Sequence, residues 1–225
     1  VSLKDPKDFV LIGKPAQRTD ARAKSNGTAR FTQDVKLPGM LTAVVLHPPR
    51  FGAKLKSFDA AKAKAVKGVR EVVAFSTPLT DGVAVLARDY WTAKQGRDAL
   101  GAEWDESGAF KMGSGEIIAE YRRLAATPGA PARKDGDADK ALAGAAKTLE
   151  ATYEFPYLAH APMEPMNCVV RLDDKGCEVW NGAQFQTPDQ LALVELLGLK
   201  PEQVKINQLF AGGSFGRRAN PHSDY

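Results

Sequence analysis

Short apolar runs alternate with helical patterns through the first half of the chain. Residues 40–46 are apolar and β-branched at several places, follow the turn Leu37-Pro38-Gly39 and stop at His47-Pro48-Pro49, a pattern that predicts a buried strand. Asp59 ahead of an alanine–lysine run predicts an N-capped helix over 60–65 that stops near Gly68. Strands are predicted over 69–75 and 82–87, a helix capped by Asp89 over 90–100, and a short strand over 102–104. Strands alternating with short helices, without a glycine-rich nucleotide turn between them, predict an α+β layer rather than a doubly wound sheet. Residues 1–30 are polar and follow neither period, so they read as an extended arm.

The second half opens with a helix over 116–126 and a turn-rich crossing at 127–132, where a domain boundary is expected. A helix follows from Asp137, then a long strand over 148–155. Residues 167–172 and 177–180 face each other across the turn Asp173-Asp174-Lys175-Gly176, a hairpin signal. Thr187-Pro188-Asp189-Gln190 predicts a helix start, with Thr187 as the cap and Gln190 closing a capping box, and Gly198 ends that helix. A strand over 204–210 then feeds the loop Ala211-Gly212-Gly213-Ser214-Phe215-Gly216.

Composition narrows the chemistry. Of 225 residues, 44% are hydrophobic and 26% charged, as in an ordinary globular protein, and no run is long and apolar enough for a transmembrane helix. Two cysteines, Cys168 and Cys177, exclude a disulfide scaffold and any four-cysteine cluster, and they read as two buried free thiols. The three histidines, His47, His160 and His222, lack a second ligand at metal spacing, so no metal ligand is assigned. Residues 1–70 carry 15 basic and 5 acidic groups (net +10) and residues 71–225 carry 16 and 22 (net −6). Lys54, Lys56, Lys62, Lys64 and Lys67 form either a contact surface for nucleic acid or an acidic partner, or a solvated face. No aromatic residues are interleaved with them, so no nucleic-acid partner is expected.

Candidate chemistry concentrates between residues 157 and 218. The loop Gly212, Gly213, Ser214, Phe215, Gly216 follows a strand directly, and consecutive N–H groups of such a loop cradle oxyanions; the alternative is a flexible strand-to-helix turn. Arg217 and Arg218 come next and suit an anion. Gln184 and Gln186 lie at a strand-to-helix junction. Glu164 stands between Pro162 and Pro165, a segment that either orients the carboxylate or only ends one strand and starts another.

Taken in order, several segments resemble the molybdopterin-binding large subunit of the xanthine dehydrogenase and aldehyde oxidase superfamily, nearest its isoquinoline 1-oxidoreductase β-subunit branch. They are residues 8–15, 37–41, 159–167 with Met163-Glu164-Pro165-Met166-Asn167, Glu178-Val179-Trp180 with Gln184-Phe185-Gln186, and Gly213-Ser214-Phe215-Gly216-Arg217-Arg218. The resemblance implies an arm over 1–24, an a/b hammerhead domain over 25–130, and the first, incomplete part of a molybdopterin-binding α+β domain over 131–225. It implies cofactor-binding roles for Gln184, Gly212, Gly213, Ser214, Phe215, Gly216 and Arg217, with the Gln184 amide near an oxygen ligand of molybdenum and the Phe215 ring near substrate. The chain departs from the family at Ser214, where a third glycine is usual.

The implied reaction is hydroxylation of an aldehyde or an N-heteroaromatic carbon with water as oxygen source. The implied cofactor is molybdopterin. The implied partners are the remainder of the large subunit, a small iron–sulfur subunit and the small-molecule substrate. The family's catalytic glutamate belongs to a segment absent from these 225 residues, so no catalytic residue is assigned. The isolated piece is expected to be inactive and not to retain the cofactor. Val1 in place of methionine and the abrupt end after the glycine loop suggest a piece of a longer protein or one subunit of a split one. The compartment, cytoplasm or periplasm of a bacterium, is not encoded in these residues. The reading from another class is a non-catalytic docking or assembly module whose basic first 70 residues face an acidic partner.

Overall fold

The computed structural model describes residues 2–219; Val1 and residues 220–225, His222 among them, lie outside it. In chain order the elements are α1 (Ala21–Ser25), β1 (Thr42–Leu46), β2 (Lys54–Ser57), α2 (Ala60–Ala65), β3 (Val69–Ser76), β4 (Asp81–Ala87), α3 (Tyr90–Asp98), β5 (Glu103–Asp105), α4 (Ser114–Ala125), α5 (Ala138–Ala143), β6 (Val169–Asp173), β7 (Gly176–Asn181), α6 (Gln186–Leu197) and β8 (Val204–Gln208). The fold is mixed α+β, and it divides into two compact units, Pro38–Ala159 and Val1–Leu37 with His160–Tyr225. The first unit runs on to Ala159, past the 130/131 position expected for a boundary. Residues 1–37 group with the second unit, and residues 2–19 of this stretch are exposed throughout.

In the 38–159 unit, β4 is the middle strand of an antiparallel sheet ordered β1-β4-β3. Its sequence is almost wholly apolar because a middle strand is covered on both faces. Val83 and Val85 from β4, Ala63 from α2 and Leu100 after α3 are fully buried together, packed by Leu46, Leu55, Phe58, Val69 and Val72. Asp59 and Asp89 cap α2 and α3 as their positions predict, each carboxylate accepting a main-chain N–H three residues on, from Lys62 at 3.0 Å and Thr92 at 2.8 Å.

The lysine-rich stretch at 54–57 is a strand, β2, paired antiparallel with β5, which its polar sequence hid. Its backbone is tied to β4 by Asp81, whose carboxylate accepts the Leu55 N–H (2.8 Å) and the Ser76 hydroxyl (2.6 Å). Lys54, Lys56, Lys62 and Lys64 pair with Asp81, Glu103, Asp59 and Glu71, so these lysines face carboxylates of the same chain.

The strand expected over 148–155 does not form. Every residue from 144 to 159 is exposed, and no main-chain hydrogen bond involves 146–159 among the described residues. The alternating pattern of Leu149, Ala151, Tyr153 and Phe155 suits a strand, but a strand needs a neighbour for its ladder. This segment instead touches α4 through its side chains: Arg122 donates to Glu154, and the Tyr157 hydroxyl lies 2.6 Å from that of Tyr121.

In the second unit, β6 and β7 form the expected hairpin, with Leu172 opposite Cys177. β8 then adds parallel to β7, Asn181 opposite Gln208, and α6 makes the crossover. Cys177, Val179 and Val204 form the core with Leu193, Val194, Leu197 and Leu199. Burial pushes the Cys177 thiol up, as suits a packing residue. Cys168 is exposed, against the expectation of two buried thiols, because it precedes the ladder that begins at Val169.

Helix α6 begins at Gln186 with Phe185 at the cap position and no side-chain cap, so Thr187 lies inside the first turn. Gln190 does not close a capping box. Its amide donates to the carbonyls of Pro201 and Val204, both at 3.0 Å, and so fixes the entry to β8. Gly198 ends the helix in the left-handed region, as expected. The chain from Ala21 to Ser25, expected to be irregular, is a short helix.

Candidate functional site

Parallel pairing of β7 and β8 brings both strand exits to one edge of the sheet, since Asn181 and Gln208 are register partners. Loops leaving the carboxyl ends of neighbouring parallel strands are where open sheets gather ligand-binding groups. From β7 comes Asn181-Gly182-Ala183-Gln184; from β8 comes the loop 209–216. The two exits are stitched together by Leu209 N–H to the Asn181 carbonyl (2.9 Å), Gln208 Nε2 to the Ala183 carbonyl (2.6 Å) and Gln186 Nε2 to Gln208 Oε1 (2.6 Å). Gln186 therefore serves the scaffold, whereas Gln184 is exposed at the edge.

The glycine loop and Gln184 meet. The Ser214 hydroxyl donates to Gln184 Oε1, the Arg218 N–H reaches Ser214 Oγ at 3.3 Å, and the Gln184 N–H donates to the Arg218 carbonyl at 2.9 Å. Phe215 lies at φ +57° with 71% of its surface exposed. An aromatic residue in the left-handed region costs roughly 1–3 kcal/mol, and such strain persists only where the surroundings impose it. Gly213, at φ +98°, supplies the preceding turn at no such cost.

A buried pair imposes the shape. Arg218 is 1% exposed, donates from Nε to the Gly213 carbonyl (3.0 Å) and from Nη2 to the Glu164 carbonyl (2.8 Å), and lies 3.5 Å from Glu164 Oε2. Glu164 answers with both of its ends: its carboxylate accepts the Gly212 N–H (2.8 Å) and its own N–H donates to the Gly212 carbonyl (3.0 Å). A Cβ on Gly212 would stand 2.5 Å from the Glu164 Cβ, so this exchange requires glycine. Glu164 thus orients the loop, which resolves the two readings its sequence position left open. The role of Arg218 was missed as well: adjacent arginines suggest two anion binders, but Arg218 is spent on the lock and only Arg217 remains partly accessible. The one sequence hint was a carboxylate held between prolines.

What the arrangement offers is an anion cradle. The N–H groups of Gly213, Ser214, Phe215 and Gly216 donate to no partner among the described residues, and Arg217 follows directly. A further donor pair, Gln184 Nε2, also has no partner among the described residues. No group of three or more His, Cys, Asp or Glu side chains among the described residues is placed to hold a metal ion. Donor N–H groups, an arginine and an uncovered ring fit a bulky anionic organic group better than a bare cation. All seven residues expected in this role (Gln184, Gly212, Gly213, Ser214, Phe215, Gly216 and Arg217) belong to the two exits, with Gly212 serving the lock.

The chain is similar to known proteins of one kind. Residues 124–224 match the family model of the molybdopterin cofactor-binding domain. Over 98% of its length the chain is 31% identical to isoquinoline 1-oxidoreductase subunit beta of Brevundimonas diminuta, and over 97% it is 30% identical to the membrane-bound aldehyde dehydrogenase (pyrroloquinoline-quinone) of Gluconacetobacter polyoxogenes. It spans 29% of the length of each of these relatives. The crystal structure of quinoline 2-oxidoreductase from Pseudomonas putida 86 shares the fold, with a TM-score of 0.69 at 17% identity over 93% of this chain and 32% of that one.

Proposed function

We propose that the chain supplies part of the cofactor site of a molybdenum hydroxylase acting on aldehydes or N-heteroaromatic compounds; its residues 124–224 match the molybdopterin cofactor-binding domain, and it is related to several members of the xanthine dehydrogenase and aldehyde oxidase superfamily. The observation that carries this reading is the convergence of Gln184 with the donor-rich loop 212–216 at one sheet edge. When bound, the cofactor supplies a redox-active metal that activates water-derived oxygen and accepts electrons from substrate.

The chain's own residues bind and orient. The main-chain N–H groups of 213–216 and the Arg217 guanidinium hold negative charge, Gln184 Nε2 donates to an oxygen atom, and the Phe215 ring forms a wall that shields the reacting atoms from water. Glu164 is not the general base. Its Oε2 accepts the Gly212 N–H and faces Arg218, and its Oε1 receives the Asn167 amide at 3.5 Å, so in this reading the carboxylate is engaged in bracing the loop. The base, the electron-transferring iron–sulfur subunit and the remaining substrate contacts lie outside residues 1–225 in this reading. By themselves these residues are inactive and do not retain the cofactor.

The test is to produce the protein in a host that makes the cofactor and measure bound molybdenum and pterin, together with dye-linked aldehyde oxidation. The longer protein carrying this chain is expected to hold both and to lose most of the bound molybdenum in Gln184→Ala and Arg217→Ala. Full retention in both variants overturns the reading. Turnover by residues 1–225 alone overturns the assignment of the base to another segment.

A further inference from the structure

Ser214, between the loop's glycines and Phe215, does more than fill space. Its Oγ accepts the Arg218 N–H at 3.3 Å, which occupies one lone pair, while its own proton goes to Gln184 Oε1. With Gln184 flipped, the hydroxyl would face two donors, and its proton would have no acceptor among the described residues. The network therefore favours one amide orientation. Oε1 faces Ser214, and Nε2, which has no partner among the described residues, is turned from the hydroxyl. The neighbouring Gln184 N–H is held by the Arg218 carbonyl at 2.9 Å, so main chain and side chain of Gln184 are fixed from the same short segment.

We propose that Ser214 is a positioning residue that sets the Gln184 amide as a hydrogen-bond donor toward the ligand. The consequence is specificity for an acceptor oxygen. A side-chain amide left to rotate presents donor or acceptor equally, and a ligand must then select one of two orientations; a fixed amide is already selected before binding. The functional half of this proposal rests on reading Gln184 as a ligand contact, but the orienting contact itself does not.

The experiment is ¹⁵N-edited NMR on the 225-residue chain, following the Gln184 side-chain NH₂ pair, assigned by its disappearance in Gln184→Glu. In the unsubstituted chain the pair is expected to be displaced from the signals of freely rotating glutamines. Ser214→Ala and Ser214→Gly move it into that cluster, and Ser214→Thr, which keeps the hydroxyl, leaves it displaced. The Gly212 amide signal, which reports the lock, stays in place in all three. An NH₂ pair unmoved in Ser214→Ala overturns the proposal, as does a Gly212 amide that moves with it, since the effect would then be collapse of the loop. In the cofactor-loaded longer protein, Ser214→Ala is expected to lower bound molybdenum about two- to tenfold, with Ser214→Thr restoring it; loss that Thr does not restore counts against the proposal. Full retention of cofactor in both Gln184→Ala and Arg217→Ala would sink the cofactor reading while leaving the Ser214–Gln184 contact of the unsubstituted chain intact.

Discussion

The two compact units hold themselves together by opposite means. In the 38–159 unit, Ala63, Val83, Val85 and Leu100 have no exposed surface, and shape is a matter of apolar side chains excluding water. In the unit of residues 1–37 and 160–225, the sheet has a small apolar core at Cys177, Val179 and Val204, but the loop beyond β8 is held by an arginine, a glutamate and main-chain groups. Apolar packing tolerates small shifts of its members. A hydrogen-bonded charge pair does not, and that difference suits a loop whose N–H groups are to hold one direction.

Breaking the pair should therefore produce the largest effect. Arg218→Met leaves the Glu164 carboxylate without its cation and is expected to cost roughly 3–5 kcal/mol, whereas Arg218→Met with Glu164→Leu costs clearly less, because no unpaired charge remains. Thermal unfolding followed at Trp180, the tryptophan of that unit, checks both. Equal destabilisation by the single and double substitutions would mean that the pair is ordinary packing.

Leu100→Ala is the matching experiment in the other unit. It opens a cavity in a fully buried cluster and is expected to cost about 2–4 kcal/mol, read from Trp91 and Trp104 in chemical denaturation. Gly212→Ala comes next, at roughly 1–3 kcal/mol for the overlap with Glu164. Its signature is a changed Gly213 amide environment and weakened cofactor retention, with no change at Trp91 or Trp104.

The smallest effect is acid sensitivity. Asp81 is held below the ordinary carboxylate value chiefly by the Ser76 hydroxyl, Asp89 by the Thr92 N–H and Asp59 by the Lys62 N–H. Each is easier to ionise folded than unfolded, so its contribution is complete above the ordinary value of about 4 and is lost as the pH falls through the lowered native values. In the other unit Glu178 is lowered chiefly by the Lys205 ammonium. Stability at Trp91 and Trp104 should hold steady from neutral pH down to about 5 and then decline, with Asp81→Asn removing part of that decline. A flat profile through pH 3 would show that these carboxylates titrate alike folded and unfolded.

Local signals in the sequence were strong where the partner group lay close by. The caps at Asp59 and Asp89, the hairpin across 173–176 and the stop at Gly198 rest on hydrogen bonds or dihedrals spanning a few residues, and each was legible. The strand pattern over 148–155 was legible too and still misled, because alternation specifies a face and not the neighbour that a ladder requires. β2 was hidden for the converse reason: its lysines carry no strand signal, and its place depends on Asp81, more than twenty residues on.

Glycines at 212, 213 and 216, the glutamine at 184 and the arginines at 217 and 218 were written in the sequence, and with them the kind of group they suit. Which of the arginines is buried, that Glu164 braces the loop, and that Ser214 reaches Gln184 were decided only by tertiary structure. Those contacts join residues 30 to 54 positions apart, or choose between chemically identical neighbours. Periodicity and propensity act over one or two turns of chain and carry no information at that range.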